Sequence, residues 1–409
     1  MNKKLFFSII TIFLSFLFIG CLKNTDSSSQ NNNINHSNKN DNINHSSRTA
    51  DNNSSDAKES KIPKDYLDNG IFSDYYEKAY KKLKSMTLEE KIGQLIFARC
   101  PSENAEDIIS KHQFGGVILF GTNTENKTKE QLSRDISSLQ NISKIPMLIG
   151  VDEEGGTVVR ISSNPNLRSE KFKSPQATFA EGGFDKIALD TKEKCELLNS
   201  LGINVNLAPV ADVSTDPNDF IYNRSFGQDA EKTADFVERV VKTSSENNIS
   251  SVLKHFPGYG NNTDTHTGIA IDNRDYSTFE ASDFIPFKRG IDSKVQGILV
   301  SHNIVKCMDE NYPASLSASV HNILRDKLGF TGVIMTDDHA MDAISLYTNG
   351  EDAAVSAILA GNDLLILSDY ETSYNNLLSS VGNGKLDLST IDRAVFRILA
   401  WKYSMNIIR

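Results

Sequence analysis

The sequence predicts an α/β protein whose folded part is a (β/α)8, TIM-like barrel of parallel strands. Beyond residue 63, eight short apolar runs of β-strand composition alternate with stretches of helical periodicity, the pattern of consecutive βα units. Polar and charged residues close run after run, as they do where a barrel gathers its active site at the C-terminal ends of its strands. No Gly-x-Gly-x-x-Gly follows any run, which weighs against an open, doubly wound sheet.

The chain opens with Lys3 and Lys4, an apolar stretch over residues 5–20, and the small residue Gly20 ahead of Cys21. That order reads as a bacterial lipoprotein signal peptide over residues 1–20, with Cys21 becoming the lipid-acylated first residue. The stretch is shorter than the roughly 20 apolar residues a comfortable membrane span needs. Phe18 stands where Leu is usual, so an uncleaved anchor is the alternative. Either outcome tethers the protein by its N-terminus to the extracellular face of the membrane. Residues 21–62 form a linker of Asn, Ser, Asp, Lys and His, with Ile34 and Ile43 the only large apolar side chains between Leu22 and Ile62. Such a composition cannot bury a core. As a flexible coil of about 40 residues it would hold the next domain on the order of 35 Å from the membrane, a reach that suits a partner in the cell wall.

The catalytic barrel is expected over residues 63–409, with strands at 94–98, 116–120, 147–152, 205–210, 252–257, 297–303, 332–338 and 363–368. Thr87-Leu88-Glu89-Glu90 supplies a capping box for an opening helix. Phe236, Val237, Val240 and Val241 recur on one helical face, as do Val320, Ile323, Leu324 and Leu328 before Gly329. About 345 residues is within the range of a barrel with insertions. Cys100, Cys195 and Cys307 are far apart and odd in number, so they are expected as small core residues and not as a disulfide framework. A net charge of −10 without a basic cluster excludes nucleic acid as a natural partner.

The densest chemistry follows the fifth run, where Lys254-His255-Phe256-Pro257-Gly258-Tyr259-Gly260 leads into Asp264-Thr265-His266. In an extended Asp-x-His both side chains share one side, so the carboxylate can hold the imidazole's tautomer and raise its basicity. A lone Asp-x-His is most often a solvated loop. What separates this one is its company, because Asp152-Glu153-Glu154, Asp212, Lys254-His255, His302-Asn303 and Asp337-Asp338-His339 close strands of the same rim. Retaining glycoside hydrolysis needs a carboxylate nucleophile and an acid/base group on opposite sides of the scissile bond. Asp337, which ends the run Gly332-Val333-Ile334-Met335-Thr336, and His266 can fill these roles, with Asp264 orienting the ring. Asp338, as the first residue of the loop, is expected to cap the next helix. Lys254, His255, Arg224 and Asp152 suit charge-assisted hydrogen bonds to sugar hydroxyls.

As a set these residues resemble glycoside hydrolase family 3, in particular its bacterial β-N-acetylhexosaminidases of the peptidoglycan-recycling type. The resemblance runs through most of residues 80–370. It is carried by Lys91-Ile92-Gly93-Gln94, Asp152-x-Glu154-Gly155-Gly156-x-x-x-Arg160, Ala208-Pro209-Val210-x-Asp212, Arg224-Ser225-Phe226-Gly227, Lys254-His255-Phe256-Pro257-Gly258, Pro313-Ala314-Ser315-Leu316-Ser317, Thr336-Asp337 and Ala360-Gly361-Asn362-Asp363. It implies Asp337 as nucleophile, His266 as acid/base with Asp264 as its partner, and Asp152, Arg160, Arg224, Lys254 and His255 as the residues that bind N-acetylglucosamine. The Asp-x-His pair points to N-acetylglucosaminides, since relatives acting on plain glucosides usually take a carboxylate acid/base from elsewhere. With the tether, a peptidoglycan fragment becomes the expected substrate; no cofactor and no metal is called for, and a monomer is expected.

The chain departs from the family pattern at three places: Tyr259 stands in place of a second His, Thr157 where Arg commonly follows the two glycines, and Asn261-Asn262 where an acidic residue is common. The second domain of some extracellular relatives is not expected in a chain ending at Arg409. Three other readings compete. A metal-dependent barrel hydrolase could use His255, His266, His302 and His339, but residues 94–98 lack the His-x-His such enzymes place at their first strand, which leaves His302 as a pocket-lining or buried residue. Sugar transfer to phosphate is compatible with an imidazole acid/base, which repels an anion less than a carboxylate does. A tethered wall-binding protein without turnover is the third.

Overall fold

The computed structural model describes residues 62–261, 270–339, 344, 347 and 352–408. The signal peptide, Cys21 and most of the linker lie outside these residues, as do Asp264 and His266.

Eight parallel strands form the barrel: β1 (Ile96–Arg99), β2 (Gly116–Leu119), β3 (Leu148–Val151), β4 (Val205–Asn206), β5 (Ser250–Phe256), β6 (Gly297–Val300), β7 (Val333–Thr336) and β8 (Leu365–Leu367). They pair in the order β8-β1-β2-β3-β4-β5-β6-β7, and a parallel bridge between Met335 and Leu364 brings β7 back to β8 and closes the ring. Each of the eight predicted runs overlaps one of these strands, β1 extending one residue past its run and β5 starting two residues before its own. Nearly every strand residue is buried, as expected where helices cover the outside and side chains fill the inside. Phe97 shows how the interior is filled: a Cβ at Gly116 or Gly150 would come within 2.4 Å of its ring, so glycine on the two following strands leaves the space one aromatic side chain occupies.

The helices follow local signals. Thr87 Oγ1 accepts from the Glu90 N–H while the Glu90 carboxylate accepts from the Thr87 N–H, completing the predicted box at the start of helix Leu88–Gln94. Helix Ala230–Glu246 buries Phe236, Val237, Val240 and Val241 against the barrel. No helix among the described residues is long and apolar enough to cross a membrane.

Three expectations are corrected. Gln94, predicted to begin a strand, ends the preceding helix, where its side-chain amide donates to the Gln113 carbonyl at 2.8 Å and its Oε1 accepts from Lys402 at 2.6 Å. The face from Val320 to Leu328 is not one α-helix: Ala318–Asn322 gives way to a wider, π-type turn over Ile323–Lys327. Cys307 is exposed, whereas Cys100 and Cys195 are buried as expected; Cys307 follows a short ribbon in which Ile271–Asp272 pairs with Ile304–Val305 after β6.

Candidate active site

β5 is buried along its whole length and ends by delivering Lys254 and His255 to the barrel mouth. The Lys254 ammonium lies 2.6 Å from Asp152 Oδ1 and 2.7 Å from Glu154 Oε1. Arg224 forks onto the same Glu154, with Nε 3.0 Å from Oε2 and a terminal nitrogen 2.8 Å from Oε1. Burial opposes ionisation of Glu154, but Lys254 and Arg224 overcome it and hold its carboxyl down at about 2. Burial likewise opposes the Lys254 charge, and Asp152 and Glu154 reverse that and raise its pKa. Glu154 is therefore a fixed anion that spaces two cations.

Asp212 organises the next layer. Its Oδ2 accepts from the His255 N–H at 3.1 Å and from His255 Nδ1 at 2.8 Å, and its Oδ1 accepts from the Tyr259 N–H at 2.8 Å. With the proton on Nδ1, His255 turns Nε2 towards Arg224, 3.3 Å away. Tyr259 is buried at 1% exposure, edge-on to Phe220 and His255 and packed with Val210 and Ile221. The residue that replaces a family histidine thus forms part of a small apolar cluster supporting His255.

The loop after β3 is built by Glu153. This fully buried carboxylate accepts from the N–H groups of Arg160, Ile161 and Ser162 at 2.9, 2.7 and 3.2 Å, and from the Ser162 hydroxyl. It thereby sets the backbone from which Arg160 returns towards Asp152, their side chains 3.9 Å apart. The Arg160 Nε is buried without a hydrogen-bond partner. Gly155 and Gly156 both have positive φ, 101° and 68°, and a Cβ on Gly155 would strike the Lys173 carbonyl at 2.2 Å. Thr157 sits at the exposed tip of this turn.

Asp337 is the first residue beyond β7, and its N–H donates to the Val300 carbonyl at 3.2 Å. The Asp338 carboxylate accepts from the Ser368 N–H at 3.1 Å and its hydroxyl at 2.6 Å; residues 340–343, where its expected helix cap would fall, lie outside the described residues. Beneath them His302 is fully buried, taking a hydrogen bond from the Ser315 hydroxyl at 2.7 Å and donating to the Asp338 carbonyl at 3.2 Å, and burial lowers its pKa. Among the described residues no three His, Cys, Asp or Glu side chains converge so as to hold a metal ion.

These elements enclose a cavity of about 440 Å³ at the C-terminal end of the barrel, lined by Asp152, Arg160, Arg224, Lys254, His255, Asp337 and Asp338, with Arg99 and Phe120 on one wall. All six predicted site residues within the described region, brought from four strand ends, meet there. Sequence reasoning assigned no role to Glu154, Glu153 or Asp212. Glu154 and Asp212 do stand in the quoted motifs, but their partners are distant in sequence, Arg224 lying 70 residues from Glu154.

The model of the glycosyl hydrolase family 3 N-terminal domain matches residues 87–401, most of the chain. The protein belongs to glycoside hydrolase family 3. A β-hexosaminidase of Nitrosomonas eutropha is 32% identical over 289 residues, covering 68% of this chain and 80% of that protein. Among solved structures, a family 3 β-N-acetylglucosaminidase from Paenibacillus sp. is similar at 30% identity with a TM-score of 0.73, covering 79% of this chain and 63% of that one. A β-N-acetylhexosaminidase from Beutenbergia cavernae is similar at 26% identity with a TM-score of 0.69, covering 78% of this chain and 99% of that one. The rim of charges is accordingly the candidate active-site face of this family 3 glycoside hydrolase.

Proposed function

We propose that this family 3 glycoside hydrolase is a retaining β-N-acetylhexosaminidase that releases terminal β-linked N-acetylglucosamine from peptidoglycan fragments, working at the extracellular face of the membrane to which Cys21 tethers it. The observation that carries the reading is the place of Asp337, which shares one cavity with Asp152, Arg160, Arg224, Lys254 and His255. The hexosaminidase relatives support the sugar, and the signal and linker composition supports the location.

The donor set suits a pyranose. Asp152 and the two guanidiniums offer charge-assisted hydrogen bonds to ring hydroxyls, and the ion pair with Lys254 orients the Asp152 carboxylate. The acid must come from another group than Glu154, because a carboxyl held at about 2 between two cations has no proton to give at neutral pH. The Asp264–His266 pair supplies it. In the first step the His266 imidazolium protonates the glycosidic oxygen, the C1–O bond breaks, and the Asp337 carboxylate closes on C1 to form a glycosyl ester. In the second, neutral His266 takes a proton from water, the water oxygen attacks C1, and the ester bond to Asp337 breaks with net retention.

The test is release of the aglycone from an aryl β-N-acetylglucosaminide and from the matching β-glucoside, by residues 63–409 with and without Asp337→Ala, with products compared in the presence and absence of phosphate. Release of free sugar from the N-acetyl substrate alone, lost in the variant, is the expected result. Undiminished release by Asp337→Ala would overturn the assignment of the nucleophile.

A further inference from the structure

Between the strand end that bears His255 and the ribbon strand Ile271–Asp272 runs the segment to which Asp264 and His266 belong, and both described ends of that segment meet at one side chain, Arg274. Its Nε and one terminal nitrogen fork onto Asp272, with contacts of 2.9 and 2.7 Å to Oδ2. The other terminal nitrogen reaches both oxygens of Asp283, at 3.1 and 3.0 Å. The remaining N–H donates to the Gly258 carbonyl at 3.2 Å. The guanidinium also lies over the Phe279 ring, 4.2 Å from its centroid. Both carboxylates are 1% exposed on their side chains, and Arg274 itself is 21% exposed.

One planar cation thus joins residue 258, residue 272 and residue 283, three points that no continuous element connects. The chain presses directly on this knot. A Cβ on Gly260 would lie 2.4 Å from Arg274 Cζ, and one on Gly258 would lie 2.3 Å from Asp283 Oδ1; both glycines have positive φ. The spacing of the two glycines in Phe256-Pro257-Gly258-Tyr259-Gly260 is therefore set by contact with a carboxylate and a guanidinium, and not by turn geometry alone. Asp272 is held a second time through the ribbon, where its carbonyl accepts from the Lys306 N–H at 3.0 Å. None of the three knot side chains lines the active-site cavity.

We infer that Arg274 is a positioning residue for the proton-transfer step: by tying the Gly258 carbonyl to Asp272 and Asp283, it fixes both attachment points of the segment that carries the acid/base pair. The inference rests on the proposed role of Asp264 and His266. Its physical basis is that a group delivered by a chain with two fixed ends is confined to far fewer positions than one delivered by a chain with a loose end, and general acid catalysis needs its proton within hydrogen-bond reach of the leaving oxygen. A lysine cannot replace the fork, because an ammonium is a point charge that cannot hold a planar pair of contacts on Asp272 while reaching Asp283 and the Gly258 carbonyl.

The experiment compares kcat/KM for two β-N-acetylglucosaminides, one with an activated aryl leaving group and one with a sugar leaving group, in Arg274→Lys, Arg274→Ala, His266→Ala and Arg289→Ala. Arg289 makes a comparable surface cluster with Asp235, Glu238 and Glu231 away from the mouth and controls for lost ion pairs. The expected result is that both Arg274 variants lose on the order of 10–100-fold on the sugar leaving group and less than about 3-fold on the activated one, the pattern of His266→Ala in weaker form. Arg289→Ala should keep the wild-type ratio. If Arg274→Ala does not fold, Arg274→Lys decides alone. Equal losses on both substrates, or none, in a folded Arg274 variant while His266→Ala discriminates would overturn the positioning role and leave the acid/base assignment standing. Absence of discrimination in His266→Ala would overturn that assignment and the positioning role with it.

Discussion

At the floor of the barrel Asp363 is enclosed by its own counter-charges, whereas at the mouth the buried charges are paired and still face open space. Asp363, 1% exposed, accepts from Arg325 at 2.5 Å, from Arg397 at 2.9 Å and from the Ile334 N–H at 2.9 Å, joining β7 to the chain that enters β8. Nearby Lys402 is completely buried and donates to Gln94 Oε1, while Trp401 donates to Ser250. Nothing on the floor lines the active-site cavity. At the mouth, Lys254, Glu154 and Arg224 balance one another just as closely, but Asp152, Arg160, Arg224, Lys254 and His255 present atoms to a cavity of about 440 Å³. The two ends of the same strands thus use one kind of interaction for two purposes. Burial and pairing alone do not mark a functional charge; pairing beside a cavity does.

The comparison can be broken most sharply at Asp337. Asp337→Ala is expected to reduce kcat by about 10⁴-fold or more, since the two-step route loses its nucleophile, while thermal unfolding stays close to wild type. A variant that unfolds early would place Asp337 with the floor residues.

Removal of an anion from either end is the next largest effect, and here the ends should differ in kind. Glu154→Ala leaves Lys254 and Arg224 buried beside a missing counter-charge, and Asp363→Ala does the same to Arg325 and Arg397; each should cost about 3–5 kcal/mol of stability in chemical denaturation. Only Glu154→Ala should also depress kcat/KM. Glu154 adds a pH signature: its pKa lies near 2 when folded against 4.5 ordinarily. Its contribution is therefore fully present above pH 4.5 and is lost as pH falls from there towards 2, a loss that Glu154→Gln should remove from the acid-unfolding curve.

Lys402 sharpens the comparison from the floor. Burial, with a smaller contribution from Lys82, lowers its pKa well below the usual value of 10.5, so the folded state binds fewer protons than the unfolded chain below that value. Stability should consequently rise with pH towards 10.5, and Lys402→Met should flatten that rise and match or exceed wild type at pH 7, with activity unchanged.

The smallest effects belong to the departures from the family pattern. Tyr259→His should cost about 1–2 kcal/mol through lost packing against Phe220, Val210 and Ile221, with a change in KM because the cluster backs His255. Thr157→Arg, at an exposed turn, should alter stability by less than about 0.5 kcal/mol. A large effect of Thr157→Arg on KM would extend the functional mouth beyond the described cavity.

The sequence by itself determined the barrel and the polar strand ends that gather at its mouth, because apolar runs of five to seven residues and the polar residues that close them are local patterns. It also singled out Asp152, Arg160, Arg224, Lys254, His255 and Asp337, whose motifs are short and ordered along the chain and which the fold brings to one cavity. Where local patterns were ambiguous it misplaced detail: Gln94 has strand-like neighbours but ends a helix, held by contacts to residues 19 and 308 positions away. Tertiary structure alone decided which charges neutralise which. Glu154 is an anion wedged between cations, Asp212 orients His255, and Arg274 joins two ends of one segment to Asp283. Each of these facts depends on distances between residues far apart in the chain, and electrostatic energy depends on separation in space and on burial, neither of which a linear order of residues specifies.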